Sequence, residues 1–420
     1  MRTETLYINK YLPAALLYFF FNGVFLPLGI LYTTLLAPVL LLWLWRYPAV
    51  FGALRFFFYW TIPLAVIHAY IGIEDLNFYI KSYASALAVY VFCMAFYKYL
   101  DNCHSLRYIF KKILILNSIL TVVALIFLFV PPFKKIFWYD NNMSLGHITF
   151  LRLQMLTYEP SYYSTLFAPI VLYYLLKVFK RMIDRPWLYI ALTLVPLFLS
   201  LSFGVILGLA FALLALLVWE SKNILFKKSN LKYLAGGTLL LGAAFVIMAI
   251  YFPNNVLFRR MSNVLGGRDT SFNGRTMDSF KLALEIVRKK SLIVGTGFGQ
   301  VKVLGLPVFK RFYNYSLFTV HTVGIPNTTG DLFATLGLVS VALKFFLEFY
   351  FLFKTRVSSN YYRMGLWLFI FIYQFTGSFM TNIAEYVIWI LAFRPDLFPE
   401  FNKPKPDNRE SPVYRPGNPA

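Results

Sequence analysis

Charge is scarce in this 420-residue chain. Only 14% of its residues are Asp, Glu, Lys or Arg, where soluble domains carry about 25%. Acids are scarcer still, 18 against 40 Lys and Arg, and histidine occurs four times. The two cysteines, Cys93 and Cys103, are too few for a disulfide framework or a thiolate metal cluster. Both are expected as free thiols near the inner end of one span. No HExxH pair, Cys/His metal spacing or Walker lysine occurs, so a metal or nucleotide enzyme finds no support. The N-terminal MRTETLYINK runs into apolar sequence without a small-residue cleavage site, so a cleavable leader is not expected.

Apolar residues take the place of charge: 59% of the chain is hydrophobic and 20% aromatic. Runs of about 20 such residues mark membrane spans. The expectation is an all-α polytopic membrane protein with about twelve transmembrane helices in one domain, 1–394. Residues 11–45 split near Gly23 and Pro27, and single spans follow at 50–72, 78–98, 112–131 and 160–178. Residues 187–219 divide around 200–204, 233–252 and 328–353 are single spans, and 364–394 turns near 377–382. The polar, Pro-rich tail 395–420 is expected to be disordered and cytoplasmic.

The net charge of +22 is read as cytoplasmic loops obeying the positive-inside rule together with contact to anionic membrane lipids, not as a nucleic-acid surface. Cations cluster in four short loops, around Arg107, Lys177, Lys227 and Lys354. With twelve spans all four lie on the side of both termini, the cytoplasm. The long loop 253–327 then lies outside. It carries eleven Lys and Arg against Asp269, Asp278 and Glu285, a formal +8 (11 − 3), and suits an anionic partner. Within it Met277, Phe280, Leu284 and Val287 recur at helical spacing. Thr276 or Asn273 can cap the start, and Arg288 to Lys290 suit the C-terminal dipole. An amphipathic helix is expected near 276–290, lying at the outer face or packing against the protein.

Several residues at that face can carry chemistry. Glu159, in YEPSYYSTLFAP, stands where the outer loop enters a span, with Pro160 placed to start a helix. A carboxylate there, flanked by Tyr158, Tyr162 and Tyr163, can take a proton from a sugar hydroxyl or cap the helix. Gly267-Arg268 and Gly274-Arg275 repeat a Gly-Arg pair just before the loop helix. Their guanidinium forks, with Arg288 beyond, suit phosphate oxygens or lipid headgroups. In HTVGIPNTTGDLFATLGLVS, His321 is a candidate base, and Asn327 and Asp331 stand at the mouth of a span. GTGFG at 295–299 follows a helix instead of a strand, and reads as a turn. Within the spans, His68 and Glu385 are the ionisable residues to note. His68 also fits a hydrogen-bonded core role.

YEPSYYSTLFAP, the hairpin LSLSFGVILGLAF, GRTMDSFKLALEIVRKKSLIVGTGFG and PNTTGDLFATLGLVS, in that order over 157–340, resemble the O-antigen and exopolysaccharide polymerases of the Wzy type, relatives of the O-antigen ligases. The resemblance implies a C-type glycosyltransferase (GT-C) fold in the bacterial inner membrane. It implies transfer of a glycan from undecaprenyl diphosphate onto a lipid-linked repeat unit at the periplasmic face, with no cofactor, neither metal nor nucleotide sugar. Arg268, Arg275 and Arg288 would hold the diphosphate. Tyr158, Tyr162, Asn327 and Asp331 would contact glycan, and Glu159 or His321 would be the base. A chain-length regulator protein is the implied partner. Pro326 stands where a ligase carries His, and Ser340 departs at the last motif position. Phe203 replaces the Arg that relatives often carry in the hairpin. The rivals are an O-antigen ligase, against which Pro326 speaks, and a flippase for lipid-linked oligosaccharide, which should show two similar halves and cations inside the spans.

Overall fold

The computed structural model describes residues 30–142, 149–219 and 266–403, apart from 102, 104, 268 and 269, together with a few isolated positions before 30. The expected span at 233–252 lies outside these residues, as does most of the first. The chain is mostly helical. In order it forms α1 (Tyr32–Leu44), α2 (Pro48–Ile71), α3 (Leu76–Asp101), α4 (Arg107–Phe127) and the short α5 (Pro131–Phe137). An antiparallel hairpin of β1 (Trp138–Asn142) and β2 (Thr149–Leu153) follows. Next come α6 (Pro160–Phe179), α7 (Pro186–Leu199), α8 (Phe203–Trp219), α9 (Thr270–Arg275), α10 (Met277–Val287) and α11 (Gln300–Tyr313). The last are α12 (Thr328–Lys354), α13 (Tyr361–Tyr373) and α14 (Ile383–Phe393).

Five of these, α2, α3, α4, α6 and α12, are long and apolar enough to cross a membrane, and α1, α7, α8 and α14 are shorter apolar helices. The breaks fall where the sequence puts turn formers. Pro48, Pro160 and Pro186 each open a helix, a position where the missing N–H costs nothing. Among the long helices α6 is set apart by its burial, 83% of its most apolar window. It packs against α7, α8, α13 and α14, and its aromatic run from Tyr162 to Tyr174 is wholly inside.

Residues 270–327 share a small core with the start of α12, where Ala334 joins it. Leu282, Ala283, Ile286 and Val287 of α10 meet Val301, Val308 and Phe309 of α11 and Val323 and Ile325 beyond it. Each of the larger of these side chains, fully buried, contributes roughly 1.5–3 kcal/mol. The buried stripe of α10 is therefore rotated from the one the spacing suggested. Met277 is exposed, and Ser279, Leu282 and Ile286 face inward instead. The helix packs against α11 and α12.

α12 is broken at Gly337, where φ is 72° and ψ −174°, a conformation that side-chain-bearing residues resist. The segment carrying GTGFG lies along the break. Thr296 and Gly297 donate N–H bonds to the carbonyls of Ala334 and Thr335 at 3.0 and 2.9 Å, and Leu338 donates to Leu292 at 3.0 Å. A Cβ on Gly337 would collide with the Ile293 carbonyl. Backbone groups freed by the broken helix are thus satisfied inside the protein, as an apolar surrounding demands.

The tail departs from expectation at its start. Leu397, Phe398 and Phe401 are buried. Asn360 Nδ2 donates to the Phe398 carbonyl at 2.7 Å and to Asn402 Oδ1 at 2.8 Å. Residues 395–403 are ordered because their apolar side chains complete the core under α6 and α13, which outweighs their polar, Pro-rich composition. Residues 404–420 lie outside the described set.

Candidate functional site

Glu159 is the N-cap residue of α6, in extended backbone, but its side chain makes no capping bond. Its carboxylate accepts a hydrogen bond from the Ser161 hydroxyl. It also faces Arg275, whose Nη2 is 4.0 Å from Glu159 Oε1. Both side chains stay about one-third exposed, 31% for Arg275 and 35% for Glu159. A pair so placed contributes at most about 1 kcal/mol to stability, leaving the guanidinium and the carboxylate open to a ligand.

Arg275 ends α9, and its own backbone is pinned. Asn327 Nδ2 donates to the Arg275 carbonyl at 2.7 Å, while Asn327 Oδ1 caps α12 by accepting from Gly330 N–H at 2.6 Å. Aromatic groups line the approach. The Tyr158 and Tyr162 rings are 4.8 Å apart. Tyr373 of α13 lies near enough to feel the charges of Arg275 and Glu159, and its hydroxyl accepts from Thr165 at 3.2 Å. Burial above all, then the neighbouring Tyr162, Glu159 and Tyr373, pushes the Tyr158 phenol well above its ordinary pKa. It is therefore a neutral donor at physiological pH.

The structure thus brings Glu159, Arg275, Tyr158, Tyr162 and Asn327 together. Three other candidates have different partners. His321 is exposed, and its ring lies 6.1 Å from Phe78 at the start of α3. Arg288 caps the far end of the 11-residue α10, about 16 Å of helix from Arg275 at 1.5 Å per residue. Asp331 Oδ2 accepts from Met380 N–H at 3.0 Å, which ties α12 to the α13–α14 turn. Arg268 lies outside the described residues. His68 is the hydrogen-bonded core residue the sequence allowed, held by Tyr79 Oη at 3.1 Å and the Val294 carbonyl at 2.8 Å.

Two features escape a reading of the sequence alone. Arg152 of β2 donates through Nε to the Ser200 carbonyl at 3.1 Å and through Nη2 to Ser202 Oγ at 3.4 Å. It brings a guanidinium to the α7–α8 turn, where Phe203 offers none. The second is a buried ionic cluster behind the site. Lys344 Nζ lies 2.8 Å from Glu348 Oε1 and 3.1 Å from Glu385 Oε1, and it also donates to Gln374. Glu385 accepts in turn from Thr328, the residue after Asn327. Two carboxylates therefore share one ammonium. The signal was a Lys and a Glu at i, i+4 inside an apolar span, on the costly interior of a membrane helix.

Fold and site together define a polytopic, membrane-spanning helical protein with a charged mouth at the N-terminal end of α6. No family model matches the chain, and no curated protein matches it.

Proposed function

We propose that the protein is an O-antigen or exopolysaccharide polymerase of the bacterial inner membrane, with about twelve spans, a GT-C fold, cytoplasmic termini and a periplasmic site. The observation that carries this reading is the Glu159–Arg275 pair. A carboxylate and a guanidinium from distant parts of the chain stand 4.0 Å apart, partly open to solvent.

In the proposed reaction, an acceptor sugar hydroxyl of a lipid-linked repeat unit attacks the anomeric carbon of the donor glycan. The bond from that carbon to the phosphate oxygen breaks, and the hydroxyl proton passes to Glu159. Undecaprenyl diphosphate leaves with the bonding electrons, and Arg275 offsets the charge that grows on it. Placement favours Glu159 over His321 as the base. Asn327 holds Arg275 in position through its carbonyl. Tyr158, half-buried beside Glu159, offers a ring on which a sugar stacks, and the buried Tyr162 backs it.

A deletion strain complemented with Arg275→Ala tests the reading on a glycan gel. The expected pattern is single-repeat glycan without long chains, with the variant present in the membrane. A normal ladder would sink the role of Arg275. In the deletion strain itself, loss of all attached glycan would identify a ligase, and repeat units accumulating inside the cell a flippase.

A further inference from the structure

A second charged cavity lies at the opposite end of α6. The helix has 20 residues, so its ends are about 30 Å apart, the thickness of a bilayer's hydrocarbon core. Glu159 marks one end and Lys177 the other. Around Lys177, a cavity of about 360 Å³ is lined by Arg107 and Lys111 of α4 and by Arg185 at the start of α7. Tyr174 forms part of its wall, and Asp184 is the one carboxylate in the lining.

Four cations facing one acid do not neutralise one another. Arg107 and Lys177 are close enough to repel. Lys177 is buried, and among the described residues it meets Glu400 at the outer limit of 4.0 Å and the Tyr173 ring at 4.7 Å. Among the described residues, no carboxylate forms an ion pair with Arg107, Lys111 or Arg185. Like charges gathered around a concave space cost free energy unless an anion enters it. Two guanidinium forks beside two ammonium groups suit the tetrahedral oxygens of a phosphate better than a single carboxylate. The rim adds a second chemistry. Met182 and Leu188 line the cavity, and these and the neighbouring Trp187 are exposed apolar side chains, the mixture that holds a lipid at a membrane interface.

We propose that this cavity binds a phosphate group, carried by an anionic phospholipid headgroup, on the membrane face opposite the Glu159–Arg275 site. The proposal rests on the helical membrane fold and is independent of the transfer reaction.

The test uses the full chain, purified in detergent and stripped of lipid, with its melting followed by tryptophan fluorescence. Short-chain phosphatidylglycerol, short-chain phosphatidylcholine and inorganic phosphate are titrated separately. Phosphatidylglycerol is expected to raise the melting temperature in a saturable way, and phosphatidylcholine is not. The double variant Arg107→Gln/Arg185→Gln should weaken apparent affinity by about tenfold or more, since charge-assisted bonds are lost. Lys112→Gln/Lys354→Gln, which removes exposed charge outside the cavity, should leave it unchanged. If the double variant does not fold, Lys111→Gln alone, at an exposed position, carries the same sign of effect. Protection by inorganic phosphate equal to that by the lipid would assign the cavity to a soluble phosphate. Equal protection by phosphatidylglycerol and phosphatidylcholine with phosphate inert, or equal losses in cavity and control variants, would overturn the proposal.

Discussion

Asn327 joins two ends in one side chain: its Oδ1 caps α12 through Gly330, and its Nδ2 holds the carbonyl of Arg275. The guanidinium that faces Glu159 is therefore set by the start of a membrane helix as well as by its own loop. Asn327→Ala should lower glycan transfer by loosening Arg275, and should also cost about 1 kcal/mol as a lost helix cap. Asn327→Ser, which keeps a capping acceptor but is too short to reach the Arg275 carbonyl, should recover stability without recovering transfer. Melting of the purified variants beside glycan chain length measures both.

Glu159→Gln should reduce transfer by about 10²-fold or more, the usual scale for a general base, with little change in stability, because the Arg275 pair is loose and part-exposed. His321→Ala should leave transfer near the parent level. Both are read with lipid-linked donor and acceptor in a reconstituted assay. A large loss in the histidine variant alone would reverse the assignment of the base.

Removing one member of the buried cluster should be expensive. Lys344→Met leaves Glu348 and Glu385 facing one another without their shared ammonium, a cost on the order of 3–5 kcal/mol. The triple exchange Lys344→Met/Glu348→Leu/Glu385→Leu should recover much of that loss, since no unpaired charge remains buried. Thermal melting in detergent distinguishes the two.

Phe398→Ala should destabilise the protein by about 3–5 kcal/mol, since this fully buried ring meets Tyr362 at 4.3 Å and Phe110 at 5.9 Å between centroids. Denaturant titration of the purified variant gives the value. A change near zero would contradict the ordered start of the tail.

Burial pushes the Cys103 thiol up to about 11, although nearby Arg394 pulls it the other way. Only the thiolate attacks alkylating reagents. In a Cys93→Ser background, modification of Cys103 should be slow at pH 7.5 and accelerate continuously to pH 10, without the plateau near pH 9 that an ordinary thiol approaches. Mass spectrometry of timed samples follows it.

Span positions were legible because apolar run length and Pro placement are local properties. Pro160, placed to start a helix, opens α6 as expected. The meeting of Glu159 with Arg275 was foreseen only as a shared membrane face. The face of α10 was misjudged because two apolar stripes fit one helical period, and only α11 and α12 decide between them. The partners of Arg152, and Glu385 beside the Lys344–Glu348 pair, escape for a related reason: they lie on other elements, and a single sequence carries no record of such pairings. The start of the tail misled through composition, since three buried apolar residues among many polar ones suffice to anchor it.

The enclosure of α6 has a consequence for how the protein is made. A helix with neighbours on nearly every side is not finished when it leaves the ribosome. Its Ser164 and Thr165 hydroxyls bond carbonyls of their own helix and Tyr163 bonds Asn117 of the earlier α4, but the bond from Tyr362 to the Pro169 carbonyl forms only with α13. Thr165 meets Tyr373 only once α13 is in place, whereas Ser200, the partner of Ser164, lies on the α7–α8 turn that follows α6 directly. A chain that stops before α13 therefore leaves the face of α6 that Tyr362 and Tyr373 cover without its neighbours.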